Sequence, residues 1–263
     1  MATGSAYDHH TWPEIREIPK DDRVAMLPVG AVEQHGPHLP INTDNKLVWT
    51  VCSEAARRAP EDILLLPLVP YGYCGMMMDY PGTISIEIDT LVSYLYDIVK
   101  SLAKHRFKRV LIVNGHGGNR AILETVGRRA NAELGIACAG VTYWSLIAKQ
   151  LQELRDSEPG GITHACEMET SLYLHLDVAK VQMDKAVKDI AYPAGEFFGL
   201  DFVRARVADY NPPWSTFSKS GVLGDPTVAT AQKGAIWLDA AADRLVALVR
   251  EFKSIVLHNG FTP

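Results

Sequence analysis

Four side chains able to bind a metal ion or carry a proton crowd into one short run, LPVGAVEQHGPHLPINTD at 27–44: Glu33, His35, His38 and Asp44. On an extended segment, residues two apart point to the same side, so Glu33 and His35 can face one point in space. Gly36, Pro37 and Pro40 rule out a helix between them and Asp44 and give a loop that can turn Asp44 back. Carboxylate, imidazole and carboxylate make a hard-to-borderline donor set that suits Zn²⁺, Mn²⁺ or similar ions. The plainer alternative is a surface carboxylate, a loop histidine and an aspartate that caps the next helix.

A second candidate is VNGHGGN at 113–119, where His116 projects from a loop eased by Gly115, Gly117 and Gly118. The backbone N–H groups of Gly117 and Gly118 are candidate substrate contacts, since such a turn can cradle an anionic group. The run is neither GxGxxG nor a Walker motif, and the chain holds no GxSxG elbow, which argues against nucleotide binding and serine hydrolysis. The third candidate is GGITHACEMETS at 160–171, with His164 ahead of a helix whose first turn carries Glu167 and Glu169. Glu167 follows His164 by three residues, a spacing that lets both face one side of a helix start. Acids at a helix N-terminus also suit its dipole, which is the ordinary reading of both glutamates.

The elements that must position these residues alternate along the chain. Strands are expected over 23–29, 63–69, 109–115 and 135–144. Helices are expected over 45–59, 91–105 and 120–134, the first of them capped by Asp44. Leu91, Leu95, Ile98, Val99 and Leu102 share one helical face. Residues 193–226 read as loops and short strands, and 227–252 as a long closing helix. This βαβαβα order predicts a mainly parallel sheet between helical layers. Ligands sit beyond the carboxyl ends of such strands, which is where the polar runs at 33–44 and 114–119 fall.

At 263 residues with no internal repeat or linker, 1–263 is expected to form one α/β domain. A net charge of −5 without basic tracts argues against nucleic acid and anionic membranes as partners and for a small-molecule substrate. The four cysteines form no CxxC and are expected to be reduced thiols. No secretory leader and no spanning apolar stretch is recognised, so a cytoplasmic protein is expected.

Taken together, LPVGAVEQHGPHLPINTD, YPGTIS (80–85), VNGHGGN and HACEMETS (164–171) resemble the creatininase (creatinine amidohydrolase) family, in the expected order across most of 24–175. The resemblance implies a three-layer α/β/α fold, a dinuclear centre of two divalent ions (Zn²⁺ and/or Mn²⁺), a homohexamer built as a trimer of dimers, and hydrolysis of C–N bonds in small amides. Carried over by position, Glu33 and His116 would hold one ion, His35 the other, and Asp44 would bridge them. Creatininases in the strict sense carry a metal-binding glutamate two residues after the histidine of the NGH motif. Here that position is Gly118, so Glu167 is expected to complete a second site with His35 and Asp44. This departure weakens the case for creatinine itself.

His164 matches the family's catalytic histidine, and Trp144 a tryptophan on a mobile loop that covers the substrate. Tyr73, Cys74 and the run Met76–Met78 fall where the family shapes its pocket. The methionines make either an adaptable apolar wall or a packing or subunit contact. The expected activity is therefore metal-dependent hydrolysis of an amide, first a cyclic one, with formamide, peptide-like and lactone substrates as alternatives. A reading from another class is a non-catalytic α/β protein whose glycine-rich loop holds a small anion. A redox role for Cys74 or Cys166 ranks last, for want of a CxxC or a cofactor loop.

Overall fold

The computed structural model describes residues 6–192, 195, 197–199, 201–203 and 208–257. Its strands are β1 (Val24–Val29), β2 (Ile63–Leu65), β3 (Arg109–Asn114) and β4 (Ala137–Thr142). Its helices are α1 (Trp12–Glu17), α2 (Thr43–Arg58), α3 (Ile88–Lys104), α4 (Arg120–Glu133), α5 (Ala148–Leu154), α6 (Glu167–Asp177) and α7 (Ala231–Ser254). The sheet runs β2-β1-β3-β4 with every pair parallel, in the register Val24↔Ile63, Ala25↔Val110 and Arg109↔Ala137.

The alternation of side chains along the strands builds the layers. Val24 and Met26 of β1, with Leu111 and Val113 of β3, pack on one face against α2, α6 and α7. Ala25, Leu27, Val29, Val110 and Ile112 point the other way, toward α3 and α4. Both faces are covered, so β1 is apolar at every position, as a central parallel strand must be. The architecture is therefore the expected three-layer α/β/α arrangement. No helix among the described residues is long and apolar enough to cross a membrane.

Helices α6 and α7 meet at close quarters because Gly234 has no side chain. A Cβ there would lie 2.0 Å from the Ser171 carbonyl oxygen. Thr230 caps α7 by accepting from Lys233 N at 3.3 Å, and its own N–H donates to Ser171 Oγ at 3.1 Å.

Several expectations need correction. Asp44 does not cap α2; Asn42 stands at the cap position, and Asp44 lies in the first turn with its carboxylate turned inward. The second strand ends at Leu65, and only an isolated Val29↔Val69 bridge continues it. Among the described residues of 193–226 there is no strand, only bridges from Leu223 to His164 and from Gly224 to Asp189, and a 3-10 turn at Trp214–Thr216. The remaining residues of that stretch lie outside those described.

Candidate metal centre

The segment leaving β1 supplies Glu33 and His35. It is tied down by Glu33 N donating to the Ile41 carbonyl (3.1 Å) and Gln34 N donating to Thr83 Oγ1 (3.1 Å). At Gly36 the backbone is left-handed (φ +64°), and a Cβ would meet Val222 Cγ2 at 2.5 Å, so only glycine fits.

His116 leaves the end of β3, held by Asn114, whose Oδ1 accepts from His116 N at 3.1 Å while its Nδ2 donates to the His116 carbonyl at 2.7 Å. Asn119 ties this loop to two others: its Nδ2 donates to the Gly30 carbonyl (3.1 Å) and its Oδ1 accepts from Tyr73 N (3.0 Å). His164 is fixed by a two-way backbone pairing with Leu223 (2.8 and 3.1 Å) and is followed by Ala165 at φ +50°, a strained turn into α6.

These segments bring together Glu33, His35, Asp44, His116, His164 and Glu169, all buried. Asp44 lies between two imidazoles, its Oδ1 3.3 Å from His35 Nε2 and its Oδ2 3.1 Å from His116 Nδ1. Glu33 Oε1 is 3.0 Å from His116 Nδ1 and 3.5 Å from His164 Nδ1. Glu169 Oε1 is 3.8 Å from His35 Nε2. Donor atoms of His35, Asp44 and Glu169 form one group with metal-binding spacing, and those of Glu33, His116 and Cys74 another.

The residues present fit a metal. Glu33 Oε2, His35 Nε2 and Asp44 Oδ2 are buried with no hydrogen-bond partner. Unsatisfied buried acceptors of this kind cost stability unless something positive binds them. Both imidazoles are also prepared as ligands: His116 Nε2–H donates to the Tyr73 carbonyl (2.8 Å) and His35 Nδ1–H to the Glu33 carbonyl (3.3 Å). That leaves the lone pairs of His116 Nδ1 and His35 Nε2 turned to the centre, the usual way a metal-binding histidine is oriented.

The buried charges act strongly on one another. Burial alone would raise the Asp44 carboxyl, but His35 and His116 hold it well below the usual carboxylate range. Burial pushes Glu33 up, and the Asp44 charge adds to that. Burial disfavours charge on His35 and on His116, yet Asp44 beside the first and Glu33 beside the second outweigh it and raise both. His164 goes the other way, pushed down by burial and by His35.

Glu167 does not reach this centre. Its carboxylate accepts from Asp156 N and Ser157 N (3.0 Å each) and pairs with Lys233 Nζ (2.5 Å). The expected alignment with His164 assumed a continuous helix through both residues. Instead α6 begins at Glu167, and the left-handed Ala165 breaks the phase. Glu169, in the third helical position, is the acid turned inward, and its Oε2 also accepts from Cys166 N (3.3 Å). Gly118 has a steric reason as well: a Cβ there would lie 2.4 Å from the Tyr73 carbonyl oxygen and 2.5 Å from His116 Nε2. No side chain fits at that position.

Beside the centre is a cavity of about 50 Å3 walled by Met76, Met77, Trp144, Phe202 and Trp214, with Gly117, Gly118, Thr163 and Asn211. Trp144 stacks on Phe202 with ring centres 4.5 Å apart, and Trp214 meets His164 edge-on at 4.7 Å. Tyr73 is not in that wall; its carbonyl orients His116. The methionine run divides, with Met76 and the buried Met77 in the wall and Met78 exposed. Glu169, Phe202, Trp214 and Asn211 were not among the expected site residues. Only Glu169 carried a signal, its place in the first turn of a helix that follows His164.

A parallel α/β sheet with buried acids and imidazoles clustered beyond its strand ends has the layout of a metal-binding hydrolase site. The chain belongs to the creatininase family: the family model for creatininase, creatinine amidohydrolase, matches residues 8–249. The mycofactocin precursor peptide peptidase of Mycobacterium ulcerans is 34% identical over 231 residues, covering 85% of this chain and 79% of the relative. The creatinine amidohydrolase of Pseudomonas putida is 29% identical over 260 residues, covering 92% and 94%. Among solved structures, the Mn form of creatininase is similar with a TM-score of 0.80 and 28% identity, over 96% of this chain and all (100%) of the other. A creatininase variant of the Zn–Zn type gives 0.77 and 28%, over 95% and 98%.

Proposed function

We propose that this chain hydrolyses the C–N bond of a peptide-like or cyclic amide at a centre of two divalent ions, Zn²⁺ or Mn²⁺. The observation that carries this reading is Asp44 set between His35 and His116, with buried, unpartnered acceptor atoms on Glu33, His35 and Asp44. Glu33 and His116 would hold one ion, His35 and Glu169 the other, and Asp44 both. When bound, such ions make hydroxide available near neutral pH and polarise a carbonyl.

The rest falls to the chain's own side chains. His164 moves a proton at Nδ1, toward the nitrogen that leaves, a contribution of roughly 10²–10⁴-fold. Imidazole suits this role because its ordinary pKa, near 6.5, lets it take up and release a proton close to neutral pH. Trp144, Phe202, Trp214 and Met76 give the cavity an apolar wall, and polar contacts beside such a wall are stronger than in bulk water. Gly117 has open space at its Cβ position, so substrate can approach its backbone.

Creatinine is the less favoured substrate because Gly118 has no room for the glutamate of strict creatininases. A peptide-like amide stands first, in keeping with the peptidase named among the relatives. The homohexamer implied by the family is part of the same proposal, and mass photometry tests it. The reading as a whole is tested by chelation and reloading against a panel of short peptides, N-formyl compounds, cyclic amides and lactones. Turnover should vanish with EDTA and return with Zn²⁺ or Mn²⁺; turnover indifferent to chelation would refute it.

A further inference from the structure

We infer that Phe202, held against Trp144 by the buried Asp201–Arg155 pair, limits the size of substrate: the group lodged beside the centre is small, as in glycyl, alanyl or formyl amides, and a bulky side chain is refused; this rests on reading the cluster as the hydrolytic centre. The cavity measures about 50 Å3. A single water needs roughly 10–15 Å3, and a pocket that takes benzene has about 150 Å3. The space beside the centre therefore suits a hydrogen or methyl substituent and is far too small for an aromatic ring, as long as the walls hold.

Phe202 is tied down on both sides of its ring. Its N–H donates to the Ile162 carbonyl at 2.8 Å, two residues ahead of His164, so the same short segment carries the wall and the imidazole. The preceding Asp201 is the anchor. Its Oδ2 accepts from Arg155 Nη1 (2.8 Å) and Gly160 N (2.6 Å), and its Oδ1 accepts from Val203 N (3.1 Å). Arg155 also donates from Nε to the Ser157 carbonyl at 2.8 Å and from Nη2 to Ser157 Oγ at 3.3 Å. One rigid guanidinium thus joins residues 201–203 to the loop that leads into His164. Both charged side chains are buried, so water does little to weaken their attraction.

The ring itself lies nearly flat on Trp144, the two planes 19° apart. Trp144 is backed in turn by Tyr143, edge-on at 5.1 Å, and both of these rings are buried. Neither Trp144 nor Phe202 can recede without displacing packed side chains. The facing wall is pinned as well. Next to Trp214, Ser215 Oγ donates to the Asp79 carboxylate, and the Tyr80 hydroxyl donates to the Ser218 carbonyl at 2.5 Å, which fastens this turn to the loop of the methionine run. A phenyl or isobutyl group must therefore push into fixed walls, and overpacking of that kind weakens binding by about tenfold or more.

Hydroxamates test this without a known substrate, because the hydroxamate grips zinc and leaves its substituent to the cavity. In titration calorimetry the zinc-loaded protein should bind acetohydroxamate about tenfold or more tightly than benzohydroxamate. Phe202→Ala should bring the two within about twofold at unchanged zinc content, and Asp201→Asn should narrow the gap in the same direction. Equal affinities in the wild type, or a tenfold preference that survives Phe202→Ala, overturns the inference. The anchor is read separately by fluorine NMR on protein labelled with 5-fluorotryptophan and stripped with EDTA, the Trp144 signal being assigned by its loss in Trp144→Phe. Phe202→Ala removes the stacked ring and moves that signal; Asp201→Asn should move it the same way, and a signal left in place overturns the role of Asp201. If either variant does not fold, Phe202→Leu, which lacks the ring, and Arg155→Lys, which lacks the fork, are held to the same outcomes. A wild-type chain that takes up no zinc refutes the metal-centre reading instead, and the fluorine shifts are still read on that sample, so the two failures stay distinct.

Discussion

Glu167 and Glu169 stand two residues apart on one helix, and the structure assigns them unlike roles that two substitutions separate. Glu167→Gln keeps the shape but removes the charge that faces Lys233. The carboxylate is fully buried and accepts two backbone N–H bonds besides the lysine. Removing one partner of a buried pair costs about 3–5 kcal/mol. Lys233 is only slightly exposed but keeps Asp156 and the Val228 carbonyl as partners, and Gln retains an acceptor oxygen. The cost should therefore sit near the lower end, about 3 kcal/mol. For a chain of this size that is a fall in Tm of roughly 6–12 °C.

Glu169→Gln removes a charge beside His35 and should leave the fold nearly as stable but cost the centre one of its ions. The assay is thermal unfolding in EDTA, so that metal binding does not enter, together with metal analysis of the reloaded proteins. Glu167→Gln should unfold early and hold two ions; Glu169→Gln should unfold near the wild type and hold one. Loss of an ion from Glu167→Gln, with full occupancy in Glu169→Gln, would refute the assignment.

Other outcomes follow from the same geometry. Asp44→Asn should lose both ions by metal analysis, because Asp44 faces both imidazoles. His164→Ala should keep both ions and lose roughly 10²–10⁴-fold in kcat, read by steady-state kinetics on whichever panel substrate turns over. Gly118→Ala should push His116 aside and weaken metal binding in a chelator titration, at a stability cost of about 1–3 kcal/mol. Gly117→Ala, with nothing within 4 Å of its Cβ position, should leave metal affinity unchanged.

Much of this architecture is legible in the chain because the signals are local. β1 is an unbroken apolar run, β3 is apolar between Arg109 and Asn114, and α3 repeats its leucines at helical spacing, so the parallel sheet and its layers follow from pattern alone. The convergence of Glu33, His35, Asp44 and His116 was legible for a related reason: each stands just beyond a strand end or at the start of the helix that follows.

The choice between Glu167 and Glu169 was not legible. It turns on a single left-handed residue, Ala165, and alanine carries no signal for that conformation. Trp214 and Phe202 come from a stretch without periodicity, where only the fold decides which aromatic meets the site. The same holds for Gln34, Asn114 and Asn119. Gln34 and Asn119 satisfy backbone groups of distant loops, and Asn114 braces His116 two residues on; no spacing rule announces such partners.

Anomalous diffraction from crystals of the zinc-loaded protein tests the metal centre most directly. Two peaks are predicted, one among Glu33, Asp44 and His116 and the other among His35, Asp44 and Glu169. A loaded crystal with no peak at Asp44, or with zinc at Glu167, would contradict it.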